Sequence, residues 1–218
     1  MTNGGQWFRV ALTALRDGPA PLLLARRAIR QFGAIQRTWE LQSLVAEVRR
    51  LRPRVVVEIG THRGGTLVCW AAVASPSAHI VSIDMPTDEW TGLGAREEDL
   101  ARVRALLKPS QRLTAIRSDS HAPSTRARLD DALRGAPVDL LWIDGDHSYT
   151  GVKQDFEMYG GMVRAGGIIA LHDVRASDLW PGFGSPAFWQ EIKPRFRTEE
   201  LVADRRPGSG MGIGIIRM

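Results

Sequence analysis

The chain has 218 residues, 44% of them hydrophobic, enough for one well-packed domain and short for two. Its formal charge of +5 raises the question of nucleic acid, but the arginines are spread through nearly every segment without basic and aromatic interleaving, so no nucleic-acid partner is expected. The single cysteine, Cys69, excludes a disulfide framework and a thiolate metal site.

Residues 1–35 read as a helical or irregular extension whose basic part, Arg9 to Arg30, suits an interaction helix or a substrate cap. There is no signal-peptide pattern. The most apolar early stretch, "PAPLLLARRAI", is cut by Arg26 and Arg27 well short of the roughly 18 apolar residues of a membrane helix. The expected setting is cytoplasmic, without a membrane partner. A single domain is expected over 36–218. "TWELQSLVAEVRRL" has helical apolar spacing and stops before Pro53. The strand "RVVVEIG" follows, then the helix "GTLVCWAAVA", the strand "HIVSIDM", the helix "REEDLARVRALL" and the strand "RLTAIRSD". Behind these come the helix "STRARLDDAL", the strand "VDLLWIDG", the helix "GVKQDFEMYGGMV" and the strand "GGIIALHDV". The tail adds the helix "FWQEIKPRF" and a last strand in "GMGIGIIRM". Strands that are apolar throughout and alternate with helices predict an α/β, Rossmann-like, mostly parallel sheet with helices on both faces.

Ligands of such sheets bind beyond the carboxyl ends of the strands. Here those ends read Glu58-Ile59-Gly60, Asp84, Asp119, Asp144-Gly145-Asp146-His147 and His172-Asp173, an acid at every one. In "VVVEIGTHRGGT", Gly60, Gly64 and Gly65 permit a sharp turn and a close backbone approach, and Asp84 stands where a carboxylate meets ribose hydroxyls. The spacing is G-x-x-x-G-G rather than the dinucleotide G-x-G-x-x-G, and Glu58 lies where a pyrophosphate would sit. A cationic nucleoside without phosphate fits better, and S-adenosylmethionine is one. The expected cofactor contacts are Glu58, Gly60, Thr61, Gly64, Gly65, Thr66, Asp84 and Asp144, with Ser118, Asp119 and Ser120 near the adenine edge.

Through "EIGTHRGGT", "IDGDHSY", "GGIIALHDV" and "GMGIGII", the chain from about Gln36 onward resembles the class I S-adenosylmethionine-dependent methyltransferases. The likeness is to the metal-dependent antibiotic-tailoring sugar O-methyltransferases and cephalosporin-hydroxylase-like proteins. The resemblance implies a seven-stranded sheet whose last strand, "GIGIIRM", is antiparallel. It also implies an oxygen acceptor, because "IDGDHSY" stands where amino-group methyltransferases carry Asn/Asp-Pro-Pro-Tyr. The expected acceptor is a hydroxyl of a small molecule: a sugar, a glycoside or another natural-product intermediate.

An alcohol attacks a methyl sulfonium only once its proton is drawn away, which a divalent cation and an imidazole together promote. Asp144 and Asp173 are the expected oxygen ligands, with His172 beside them. The cation is Mg2+ first, with Mn2+, Fe2+ or Zn2+ open because the chain departs from the resembling enzymes at His172. Those carry an acid and an amide, or two acids, where this chain has His172-Asp173. His147 is the expected base, at the offset from Asp144 that the resembling enzymes use, with Asp146 its rival; the competing structural role for His147 is a cap on the helix beginning near Thr150. His62 is expected in the cofactor loop, and His79 and His121 carry no expected role. The stretches "MPTDEWTGLGAREED" and "VRASDLWPGFGSPAFW" read as substrate loops in which Trp90, Trp180 and Phe183 either stack on an acceptor ring or bury the loops. Two other functions are weighed: a nicotinamide-dependent oxidoreductase and a non-catalytic nucleoside-binding partner protein. A homo-oligomer is left open.

Overall fold

The computed structural model describes residues 20–86 and 94–218. Two helices, α1 (Ala20–Phe32) and α2 (Thr38–Leu51), precede β1 (Val55–Ile59). There follow α3 (Gly65–Val73), β2 (His79–Asp84), α4 (Glu97–Arg104), β3 (Arg112–Arg117), α5 (Pro123–Leu133) and β4 (Val138–Ile143). The chain ends with α6 (Tyr149–Tyr159), β5 (Val163–His172), α7 (Ser185–Ile192), β6 (Arg197–Leu201) and β7 (Ile213–Arg217).

The strands form one seven-stranded sheet in the order β3-β2-β1-β4-β5-β7-β6. The first five are parallel, and β7 runs antiparallel between β5 and β6, as expected of the last strand. Alternation along the strands divides the core between two faces. Val56, Ile80, Leu140, Trp142 and Ala170 meet α1, α2, α3 and α4 on one side. Val57, Ile83, Leu141, Ile143 and Ile169 meet α5, α6 and α7 on the other. With both faces covered, β1 and β4 are buried along their whole length, which explains why each is apolar but for one buried acid, Glu58 and Asp139.

The structure departs from the sequence pattern near the C-terminus. Helical spacing over "FWQEIKPRF" predicts a helix to Phe196, whereas α7 stops at Ile192, a 3-10 turn covers Lys193–Arg195, and β6 follows at once. As an edge strand, β6 buries only Leu201 completely, so "RTEEL" shows no apolar run. Helix α1, the described part of the expected N-terminal extension, buries Ala25 and Ala28 completely within the core. No described helix is long and apolar enough to cross a membrane.

Strand order reverses between β1 and β4, so a crevice opens at their carboxyl ends. Asp144 N donates to Ile59 O at 2.8 Å, drawing the two strand tips together. Gly60, at φ 82°, lies so close that any side chain there would overlap the Asp144 carbonyl. A glycine is required at this crossing of two strands.

Candidate active site

The crevice is a cleft of about 730 Å3. The tips of all five parallel strands reach it, through Gly60–His62, Asp84, Ser118–His121, Asp144–His147 and His172–Asp173. Of the residues expected at the cofactor, Thr61, Gly65, Thr66, Asp84, Ser118, Asp119, Ser120 and Asp144 line it together with Gly60.

Two expected residues do not line it. Glu58 points into the protein interior, fully buried, where Oε2 accepts from Trp70 Nε1 at 2.6 Å. Burial, with some repulsion from Asp144, pushes its carboxyl up to about 8, so it holds a proton at neutral pH. Gly64 caps α3 in a left-handed conformation and faces Val103. The outcome for Glu58 follows from alternation, since the side chain falls on the same face of β1 as Val56 and faces Trp70.

Asp84 organises the turn after β1. Its Oδ2 accepts from Thr61 N at 2.8 Å and His62 N at 2.7 Å, holding His62 at φ 48°. Beneath it, Thr61 Oγ1 and Ser82 Oγ lie 2.6 Å apart, and Arg117 Nη2 donates to the Ser82 oxygens. Ser118 N donates to Asp84 O, which brings the end of β3 alongside. Asp119 Oδ1 accepts from His121 N, and Ser120 O accepts from the Tyr159 hydroxyl. His121 also approaches the buried Asp155, with Nε2 and Oδ1 3.3 Å apart, and burial raises the Asp155 carboxyl to about 6.

The other end of the cleft is acidic. His172 Nδ1 lies 2.9 Å from Asp144 Oδ1 and 3.2 Å from Asp173 Oδ2. Burial alone would lower the His172 pKa, but the two carboxylates outweigh it and raise it well above its usual value. Burial presses the Asp173 carboxyl upward, yet the hydrogen bond and charge of His172 hold it below the usual range. His147 Nδ1 stands 3.5 Å from Asp173 Oδ2, and its ring stacks on Phe183 with centroids 4.5 Å apart. Asp173 itself has φ 55°, a left-handed conformation that is uncommon outside glycine and is found more often at functional sites.

Among the described residues, a group able to hold a metal ion is Asp144, His147 and Asp173, whose donor atoms all lie within 4.8 Å of one another. This differs from the expected trio of Asp144, His172 and Asp173. Asp144 follows Ile143 and His172 follows Leu171, two residues in register across β4 and β5, so the imidazole turns toward the neighbouring carboxylate. There His172 is 4% exposed and packs against the Trp142 ring. The left-handed turn at Asp173 then swings the next carboxylate back toward His147.

Asp146 is exposed at the rim, and its Oδ1 accepts from Ser148 N in the turn before α6. The cap of α6 is Ser148, whose hydroxyl accepts from Gly151 N, so the capping role weighed for His147 belongs to its neighbour. Trp180 stacks on Phe183 at 5.7 Å and is 60% exposed at the cleft mouth. Trp90 lies outside the described residues.

Several lining residues escaped the strand-end reading because they come from distant loops. Gln36 Nε2 donates to Asp144 Oδ2 at 2.7 Å, and Arg37 Nη2 donates to Ser209 O at 2.6 Å. Ser177 and Ser209 form a bridge that closes one side of the cleft. No spacing in the sequence connects positions so far apart.

A family model described as a methyltransferase domain matches residues 57–174. Among curated proteins, the uncharacterized protein y4gI of Sinorhizobium fredii is 30% identical over 149 residues, 66% of this chain. The chain spans only 16% of the length of that relative. Among solved structures, the O-methyltransferase TomG from Streptomyces achromogenes, in complex with SAM, matches at 17% identity with a TM-score of 0.59, covering 91% of this chain and 90% of that one. The MycE methyltransferase of the mycinamycin pathway, in complex with Mg, SAH and mycinamycin VI, matches at 21% identity with a TM-score of 0.60, covering 91% of this chain and 54% of that one. At such identities these two structures share its fold.

Proposed function

The chain belongs to the methyltransferase-domain family matched over residues 57–174, and on that footing we propose that it moves the methyl group of S-adenosylmethionine to a hydroxyl of a small molecule. A sugar, a glycoside or another natural-product intermediate is the proposed acceptor class, in a cytoplasmic setting without membrane or nucleic-acid partners. The observation that carries the reading is one cleft lined both by the turn that Asp84 organises and by the Asp144, His147 and Asp173 group.

Bound S-adenosylmethionine supplies an electrophilic methyl group on a sulfonium. The fit of its nucleoside rests on Asp84 and on Ser118–Ser120 along the same wall. A divalent cation, Mg2+ foremost and Mn2+ next, fits the Asp144 and Asp173 carboxylates, with His147 beside it left free to act as a base, and would supply Lewis acidity toward the acceptor oxygen.

In this reading His147 takes the acceptor's proton. Its Nδ1 faces Asp173, whose carboxylate stabilises the charge that appears on the ring, and Nε2 is the nitrogen left for the proton. Phe183 holds the imidazole plane. Asp146 is the weaker candidate because its Oδ1 already accepts from Ser148 N. Trp180 continues the stack outward and offers an exposed ring face to an acceptor with a flat or apolar side.

Family membership favours methyl transfer over the nicotinamide-dependent alternative; a non-catalytic nucleoside-binding protein is separated by experiment. Calorimetry of the purified protein should show binding of S-adenosylhomocysteine and none of NAD(H). EDTA should leave that binding largely intact while abolishing methyl transfer to a competent acceptor, and Mg2+ or Mn2+ should restore it. Binding of NAD(H) in place of S-adenosylhomocysteine would overturn the reading, and full turnover in chelator would remove the metal from it.

A further inference from the structure

Gln36 lies between α1 and α2, outside the segment that the family model matches. It is 6% exposed and lines the cleft. Its Nε2 donates to Asp144 Oδ2 at 2.7 Å while His172 Nδ1 lies 2.9 Å from Asp144 Oδ1, so the carboxylate is gripped on both oxygens. With Nε2 committed to an acid, the amide oxygen is fixed on the opposite side. That oxygen, Oε1, is buried and accepts no hydrogen bond. An amide oxygen buried without a donor is costly, and it marks a place where a partner is missing.

The position of Gln36 is set by close backbone packing. A side chain on Gly65 would overlap Ala34, and one on Gly33 would crowd Arg63, so the segment before Gln36 seats directly on the start of α3. Neighbouring Arg37 does not reach back to supply the donor, since its guanidinium is engaged with Ser209 O and lies 3.6 Å from Asp204.

Resting on the cofactor reading above, we propose that Gln36 binds the amino-acid end of the cofactor, its Oε1 accepting a hydrogen bond from the ammonium beside the Asp144 carboxylate that its Nε2 holds. The strand order supports the orientation. Asp84 and Ser118 stand at the ends of β2 and β3, on one side of β1, and Asp144 stands at the end of β4 on the other. A nucleoside lying over β2 and β3 directs its other end across the β1 tip toward Asp144 and Gln36. The acceptor's hydroxyl, by contrast, belongs near Asp173, at the end of β5, and His147, which faces it from the loop after β4. Two acceptors at one corner, one of them ionised, favour a cationic N–H donor over a neutral one.

The test compares two nucleosides that differ only beyond the thioether. S-adenosylhomocysteine carries the amino-acid end, and 5′-methylthioadenosine lacks it. Calorimetric titration of the parent, of Gln36→Met, which keeps volume without the amide, and of Gln36→Ala is expected to show S-adenosylhomocysteine weakened by roughly 10- to 100-fold in both variants. Affinity for 5′-methylthioadenosine is expected to stay within about twofold of the parent, as it must if the change is confined to one hydrogen-bonding corner. Variants that bind S-adenosylhomocysteine as tightly as the parent overturn the assignment. So do variants that lose both nucleosides alike, because Gln36 would then act only on the fold of the cleft. If the parent binds neither nucleoside, the cofactor reading itself falls and carries this inference with it.

Discussion

Replacing Glu58 by glutamine changes a single atom in a fully buried carboxyl whose Oε2 accepts from Trp70 Nε1, a bond that the amide oxygen keeps. Below pH 4.5 the carboxyl is protonated in both the unfolded and the folded chain, and the two proteins should be equally stable. As pH rises from 4.5 toward about 8, the unfolded chain releases this proton while burial keeps it on the folded one, so the parent loses stability relative to the variant. Above about 8 the charge is present in both states and the full burial penalty stands. At about 1.4 kcal/mol per pKa unit, the displacement from 4.5 to about 8 amounts to on the order of 5 kcal/mol in favour of the glutamine variant at high pH. For a chain of this length each kcal/mol moves Tm by roughly 2–4 °C, so melting curves above pH 8 should separate by about 10 °C or more. Scanning calorimetry or circular dichroism from pH 4 to 9, with the parent and Glu58→Gln side by side, reads the effect directly. Melting curves that differ by the same amount at every pH would refute the buried, proton-holding carboxyl, and a lost affinity for S-adenosylhomocysteine in the variant would return Glu58 to the cleft wall.

Asp84→Ala removes the acceptor of both turn amides and should weaken S-adenosylhomocysteine binding by about 1.5 to 3 kcal/mol, measured by calorimetry; unchanged affinity would detach the turn from the cofactor. His147→Ala should keep the fold and the cofactor affinity but lower kcat by roughly 10² to 10⁴, the range of a lost general base, with a changed pH profile. Near-normal turnover in that variant would move the base to Asp146.

Most of the fold was legible because its central strands are buried on both faces, while its helices, α3 apart, keep a wet side. "VVVEI" and "VDLLWI" show no polar alternation, and together with the helices between such strands that identifies a central parallel sheet. The same logic hid β6, since an edge strand has one wet side and three of its residues, Thr198, Glu199 and Glu200, are only partly buried. Within the site, the strand ends pointed to the right neighbourhood because sheet topology brings them together whatever their side chains do. Gln36 and Ser209 were invisible for the converse reason: Gln36 reaches Asp144 across 108 positions of sequence, through the packing of α1 on α3 rather than any local pattern.

The place of His147 beside Asp144 and Asp173 in the candidate ligand group turns on one backbone angle and one bridging contact. Adjacent residues at a strand end normally project to opposite sides, and φ 55° at Asp173 brings its carboxylate back to face both histidines. His172 sits between the two acids, which raise its pKa against the effect of burial, and its Nδ1 is taken up by them. That nitrogen bridges the acids, 2.9 Å from Asp144 Oδ1 and 3.2 Å from Asp173 Oδ2. The third donor of the group is His147, within 4.8 Å of both acids, its ring held against Phe183.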